Sequence, residues 1–325
     1  MKKLIYIILF SAIEQLSISQ QLPIYSQYLY NKFLINPAVA GSEGYTSINL
    51  TARDQWVGLN GAPQTFSLSV QTRFLKKGYN IRTTKNNRQV FRPKTDAKVG
   101  LGGSVFSYKS GLIQRTGFQL SYSYHMWIQS NTQLSLGLSL TGYYFRINGK
   151  ELLMEDPSEP ALNDNLMHGI FVPDATFGIY LLNRKYNIGF SADQLFGAYA
   201  KIGNDAYSGY KMSRHYYLFG SYSFEGRSDF ELRPSVLVRM SEQLKPQADI
   251  GFNVTYKDSF WTGLAYRTSG AIIANVGVKY SNVYIGYAID FTLQEIQSIT
   301  YGTHEINIAW KFGDSARKFR WLDRY

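Results

Sequence analysis

The chain has 325 residues and a formal net charge of +11, with 16% aromatic residues, 26 tyrosines, 28 glycines, only 18% charged residues and a mean hydropathy of -0.22. It has no cysteine, which excludes disulfides, thiol nucleophiles and thiolate metal sites. Beyond its first residues no apolar run reaches the roughly 18 residues a membrane helix needs, so a helical membrane protein is excluded, while a barrel that hides its apolar content by alternation is not.

The N-terminus, "MKKLIYIILFSAIEQLSISQQ", sets Lys2 and Lys3 ahead of an apolar run from Leu4 to Ile13, followed by Ser17 and Ser19. This is the pattern of a secretory signal peptide, expected over residues 1–19 with cleavage near Ser19. The apolar run is too short to span a bilayer, and no cysteine follows to accept a lipid. About 305 residues then remain, enough for one large β domain or two smaller ones.

Residues 20–43 are expected to be an irregular segment, a possible plug, ahead of the first strand. In it Asn36 and Pro37 carry turn chemistry and Gly41 permits a positive φ. Period-two alternation follows: "FQLSYSYHMWI" at 118–128 alternates over eleven residues, and "LSLGLSL" at 134–140 sets four leucines against Ser135, Gly137 and Ser139. The pattern predicts strands at 45–54, 63–72, 98–109, 115–128, 132–147, 171–181, 185–193, 213–225, 229–240, 246–257, 259–267, 271–280, 282–291 and 303–313.

Most of these reach the about 9 to 11 residues of a transmembrane strand, longer than the usual soluble strand of about 5 to 6. Fourteen is an even number, as a closed barrel with both termini on the periplasmic side requires. The expected fold is therefore all-β: a transmembrane antiparallel up-and-down barrel of about 14 strands over residues 44–313, in the outer membrane of a Gram-negative bacterium. Tight turns at "YKDSF", "RTSGA" and "YSNVY" fit hairpins. Tyr108, Trp127, Tyr144, Tyr256, Trp261, Tyr280 and Trp310 stand near strand ends, where interfacial girdles fall.

By the same parity Arg53, Asp193, Glu231, Arg233, Arg239, Asp249, Arg267, Lys279, Asp290, Glu305 and Lys311 face inward. Six are basic and five acidic, so ion pairs are expected to fill the lumen rather than a ring of one sign selecting ions. Residues 73–98 hold nine of the 34 lysines and arginines against Asp96 alone. This segment reads either as a solvated periplasmic loop or as a docking surface, with Lys76, Lys77 and Arg82 its candidates. A basic tail at 314–325 adds Arg317, Lys318, Arg320 and Trp321 as further periplasmic docking candidates. Opposite lie longer connections at 148–170, which is acidic, and 194–212. The acidic spacing matches no calcium loop.

Enzyme signatures are absent. The four histidines, His125, His168, His215 and His304, sit in no HExxH, and there is no GxSxG, P-loop or dinucleotide turn. His125 faces inward beside serines and is read as structural. No catalytic, metal or cofactor-binding residue is expected, and no cofactor or nucleic acid.

The segments "PIYSQYLYNKFLINPAVAGSEG" and "RDQWVGLNGAPQTFSLSV" resemble the N-terminal signature of the PorP/SprF family of outer-membrane proteins of the type IX secretion system. Weaker matches run through "FSADQLF", "LRPSVLVR", "YIGYAIDF" and "GTHEINIAWKF". The family's pattern maps onto Asn36, Pro37, Ala38, Gly41, Arg53, Trp56, Gly58 and Pro63, residues either structural or partner-binding. The resemblance implies a non-enzymatic barrel needed for secretion or surface attachment of a large adhesin or cargo protein, and for gliding in gliding bacteria. Implied partners are outer-membrane lipids, periplasmic secretion components and the cargo. Arg53 is expected to pair with Asp290 or Glu305. The competing expectation is a transport barrel for hydrophobic or small polar solutes, which predicts an apolar pocket or a continuous pore; a soluble β-sandwich is a third reading.

Overall fold

The computed structural model describes residues 23–74, 79–85, 88–93, 98–129, 132–147, 169–197, 199–200, 210–225, 229–242 and 245–313. The expected signal peptide and the basic tail lie outside the described residues, as do Lys76, Lys77, Arg317, Lys318, Arg320, Trp321, His168 and most of the 148–170 connection. Arg82 falls in a short hairpin, Tyr79–Lys85 with Arg88–Pro93, described by its backbone alone.

Alternation resolves into fourteen long strands: β1 (Thr46–Asp54), β2 (Gln64–Arg73), β3 (Val99–Ser110), β4 (Ile113–Gln129), β5 (Thr132–Ile147), β6 (Ile170–Asn183) and β7 (Tyr186–Asp193). They continue as β8 (His215–Tyr222), β9 (Phe230–Ser241), β10 (Gln247–Tyr256), β11 (Phe260–Arg267), β12 (Ala271–Tyr280), β13 (Val283–Thr292) and β14 (Thr303–Phe312). Each is antiparallel to its neighbours, and β14 returns to β1 in register from Thr46↔Phe312 to Asp54↔His304. The sheet is a closed ring with no free edge, as the alternation and even count predicted.

The distribution of side chains is inverted relative to a soluble sheet. On β2 Thr65, Ser67, Ser69 and Gln71 are buried, while Phe66, Leu68 and Val70 are exposed. On β5 Ser135 and Ser139 are buried, while Leu136, Leu138 and Leu140 stand outside. An apolar exterior with a polar interior is stable only where lipid is the outer solvent.

Short turns predominate at one end, where 184–185, 257–259 and 281–282 lie with the start of β1 and the end of β14, while 111–112 and 268–270 lie at the other. Lys257 and Asp258 take φ of 50° and 51° to close the Tyr256↔Phe260 hairpin. Longer connections, including 55–63 and 293–302, lie at the other end. The end with short turns and chain termini is the periplasmic one in such barrels. The 74–98 segment leaves from this inner end, between the end of β2 and the start of β3.

The girdle expectation needs correcting at Tyr108 and Trp261, and Trp127, opposite fully buried Gln133, also lies on the inward face. Tyr144, Tyr256, Tyr280 and Trp310 do face outward, but Trp261 is 7% exposed and Tyr108 is 9% exposed, both turned into the barrel. Nearness to a strand end sets depth, whereas parity sets the face: Trp261 lies between outward Phe260 and Thr262.

Candidate functional site

A fourteen-stranded wall encloses space that side chains alone fill poorly, and here the chain fills it with residues 23–44. Two single turns of 3-10 helix, Lys32–Leu34 and Pro37–Val39, fold this segment back on itself. Pro37 supplies its fixed φ at the start of the second turn, and the Asn36 side chain caps it by accepting the Ala38 N–H at 2.9 Å. Phe33, Ala38 and Ala40 have no exposed surface and pack with Tyr28, Ile35 and Val39 against Tyr180, Tyr217, Phe219 and Leu237 of the wall. A hydrophobic core thus lies inside a polar barrel, between inserted segment and wall.

The wall is cut to admit the segment. A Cβ on Gly178 would stand 2.1 Å from Asn36 Oδ1, on Gly137 2.2 Å from Ala38 N, and on Gly100 2.1 Å from Ala40 O. No side chain fits at those distances, so glycine is what lets the backbone approach. The Asn36 amide donates to the Ile179 and Phe190 carbonyls at 3.0 and 3.1 Å. Ser123 donates to Ala40 O at 2.6 Å, and Ser191 donates to Ile35 O. His125, fully buried, lies 3.0 Å from Ala40 O by Nε2 and 2.7 Å from Ser135 by Nδ1. It is a structural link between wall and segment, as its surroundings suggested.

Charge holds the other half. Arg53 Nη2 lies 2.8 Å from Asp290 and Nη1 3.0 Å from Glu305, as the inward parity of all three predicted. Arg267 bridges Asp290 at 3.0 Å to Asp249 at 2.9 Å, and Arg239 meets Asp249 at 2.6 Å. Three cations and three carboxylates from β1, β9, β10, β11, β13 and β14 form one neutral network. Ser26 of the inserted segment sits in it, donating to Asp290 at 2.7 Å and accepting from Arg53 at 2.7 Å, while the Ser26 and Gln27 N–H groups both donate to Glu305 at 2.8 Å. Buried charges persist when paired and hydrogen-bonded in this way.

The signature residues therefore divide among three places. Asn36, Pro37, Ala38 and Gly41 belong to the inserted segment, where Gly41 takes φ +67° and a Cβ would stand 2.6 Å from the Thr72 carbonyl oxygen. Arg53 is the centre of the charge network. Trp56, Gly58 and Pro63 shape the outer 55–63 loop: Trp56 takes φ +51°, and Gly58, at φ +100°, makes room for the Tyr301 ring. That loop is bound to the 293–302 loop by Val57 N–H to Gly302 O and Tyr301 N–H to Val57 O, at 2.9 and 2.8 Å. Ser26 and the wall glycines escaped the sequence reading; a serine and scattered glycines carry no local pattern that marks them.

Cavities flank the inserted segment on either side. The outer one, about 100 Å³, is lined by Tyr25, Ile35, Arg115, Tyr143, Asp174 and Gln194. The inner one, about 260 Å³, is lined by Tyr30, Lys32, Trp261, Lys279, Tyr284 and Lys311 among others. Among the described residues no group of three or more acidic residues, histidines or cysteines could hold a metal ion.

Comparison with known proteins bears on this barrel. The family described as type IX secretion system membrane protein PorP/SprF matches residues 17–310. None of the curated proteins matches. Among solved structures, the toluene transporter TbuX of Ralstonia pickettii is similar at 12% identity and TM-score 0.46, over 86% of this chain and 92% of that one. The outer-membrane protein Omp33 of Acinetobacter baumannii is similar at 8% identity and TM-score 0.43, over 82% and 99%.

Proposed function

We propose that this chain, which belongs to the PorP/SprF family of type IX secretion system membrane proteins, acts in export by binding protein rather than by conducting solute. As a member it is an outer-membrane component of that system, seated among the lipids of a Gram-negative outer membrane. The finer reading is that it is needed for secretion or surface attachment of one partner adhesin or cargo protein, and for gliding in a gliding cell.

The filled lumen carries this reading. A solute pathway needs a continuous polar or apolar channel, whereas residues 26–42 here are packed against the wall and hydrogen-bonded to it from both sides. What is left for contact is the two ends. At the outer end the linked loops expose Leu59, Leu293, Ile299 and Tyr301, the last three more than 60% exposed, which supports docking of a protein with a matching apolar face. At the inner end the basic 74–98 segment and the tail after β14 support docking of periplasmic components, with Lys76, Lys77, Arg82, Arg317, Lys318, Arg320 and Trp321 the candidates.

The test is deletion of the gene, followed by quantitative mass spectrometry of outer-membrane, surface and culture-fluid proteins with gliding scored alongside. Loss of one large surface protein is expected. Unchanged surface proteins together with altered solute uptake would overturn the reading.

A further inference from the structure

We infer that the inner vestibule is a carboxylate-binding site that takes an acidic peptide segment of a periplasmic partner. The inference rests on the docking reading above and gives its inner site a ligand chemistry.

Cations outnumber acids in this cavity. Lys32, Arg184, Lys185, Arg233, Lys279 and Lys311 line it against Glu43, Glu231 and Asp258. Two of the acids are engaged: Glu43 with Lys311 at 2.7 Å and Glu231 with Arg233 at 2.7 Å. Lys279 has no carboxylate partner among the described residues. Its ammonium lies 5.4 Å from the centre of the Tyr284 ring, and that of Lys311 lies 4.8 Å from the same centre. Lys279 on β12 pairs directly with Tyr284 on β13, and Lys311 approaches from β14, so the three strands present a cation, a ring and a cation in a row. A ring attracts each ammonium through its face, but Lys311 already meets Glu43, so an incoming carboxylate would take its charge-assisted contact from Lys279.

The rest of the cavity suits a peptide. Tyr30 of the inserted segment stacks on Trp261 with ring centres 4.7 Å apart, and Trp261 adjoins Tyr284 at 6.4 Å. This gives a continuous aromatic floor. The Trp261 indole N–H finds no acceptor among the described residues, although the side chain is buried. An unmet donor in a cavity that the Lys279 ammonium also lines calls for an acceptor-rich, negatively charged ligand. At about 260 Å³ the space lies just below the usual range of about 300 to 1,000 Å³ for small-molecule sites, which suits a short extended segment rather than a folded element. The cavity opens at the end from which the 74–98 segment leaves.

The experiment uses the full-length protein in detergent and a fluorescently labelled hexaglutamate peptide, read by anisotropy over a salt series. Saturable binding is expected, weakened about tenfold by Lys279→Gln, weakened several-fold by Trp261→Phe, and restored by Lys279→Arg. Lys245→Gln, at the opposite end, should leave it unchanged. No saturable binding, binding that Lys279→Gln does not weaken, or equal binding of polygalacturonate would overturn the inference. These outcomes are separable from the secretion reading, because the deletion phenotype does not depend on which ligand the vestibule holds.

Discussion

Arg53 shows how a single residue can decide what a barrel holds. Its guanidinium joins two carboxylates of the closing strands to Ser26 of the inserted segment, inside a wall where unpaired charge is costly. Arg53→Met should therefore cost about 3 to 5 kcal/mol in urea-induced unfolding, with part regained by adding Glu305→Gln, which removes the stranded carboxylate. A loss below about 1 kcal/mol would contradict this account of the network. Gly178 offers the steric counterpart. Gly178→Ala places a methyl group on Asn36, and should free the N-terminal segment for limited proteolysis at a cost of about 1 to 3 kcal/mol. Gly103→Ala, whose Cβ meets nothing closer than 3.6 Å, should leave the proteolysis pattern unchanged. Of these residues Arg53 was legible from parity and family resemblance. Gly178 was not, because a glycine in a strand reads the same whether it faces lipid, water or another backbone.

The inserted segment is the element that sets this barrel apart from an open pore. Its hydrogen bonds and apolar contacts reach β3 to β9 on one side and β13 and β14 on the other. Removing residues 23–44 should convert a barrel of low conductance in planar bilayers into one with frequent, large openings. Equal conductance of the two forms would mean that the segment does not close the lumen. The strands were readable one by one, since each alternates by itself and the register of a hairpin follows from its turn. All fourteen expected strands coincide with observed ones to within about three residues at most ends. Placement of the aromatics was less legible: Trp261 looked like a girdle residue and instead floors the inner vestibule under Tyr30.

At the scale of the whole molecule, orientation is the property most open to test. Turn lengths put 281–282 on the periplasmic side and 293–302 outside. The absence of cysteine makes the experiment clean: on intact cells a membrane-impermeant maleimide should label Ser298→Cys and spare Asn282→Cys. The opposite pattern would invert the barrel and move the vestibule to the outer face. The sequence by itself determined the barrel, its strand number and the lipid-facing side of each strand, because period-two alternation is local and survives without knowledge of partners. It also placed Arg53, Arg239, Arg267, Asp249, Asp290 and Glu305 on the inward face, where they pair. Tertiary structure alone decided that residues 23–44 fill the lumen, that Ser26 sits among Asp290, Glu305 and Arg53, and that an aromatic, cation-rich vestibule is left at the inner mouth. The Ser26 contacts with Asp290 and Glu305 join residues 264 and 279 positions apart, and only closure of the ring between β14 and β1 brings them together.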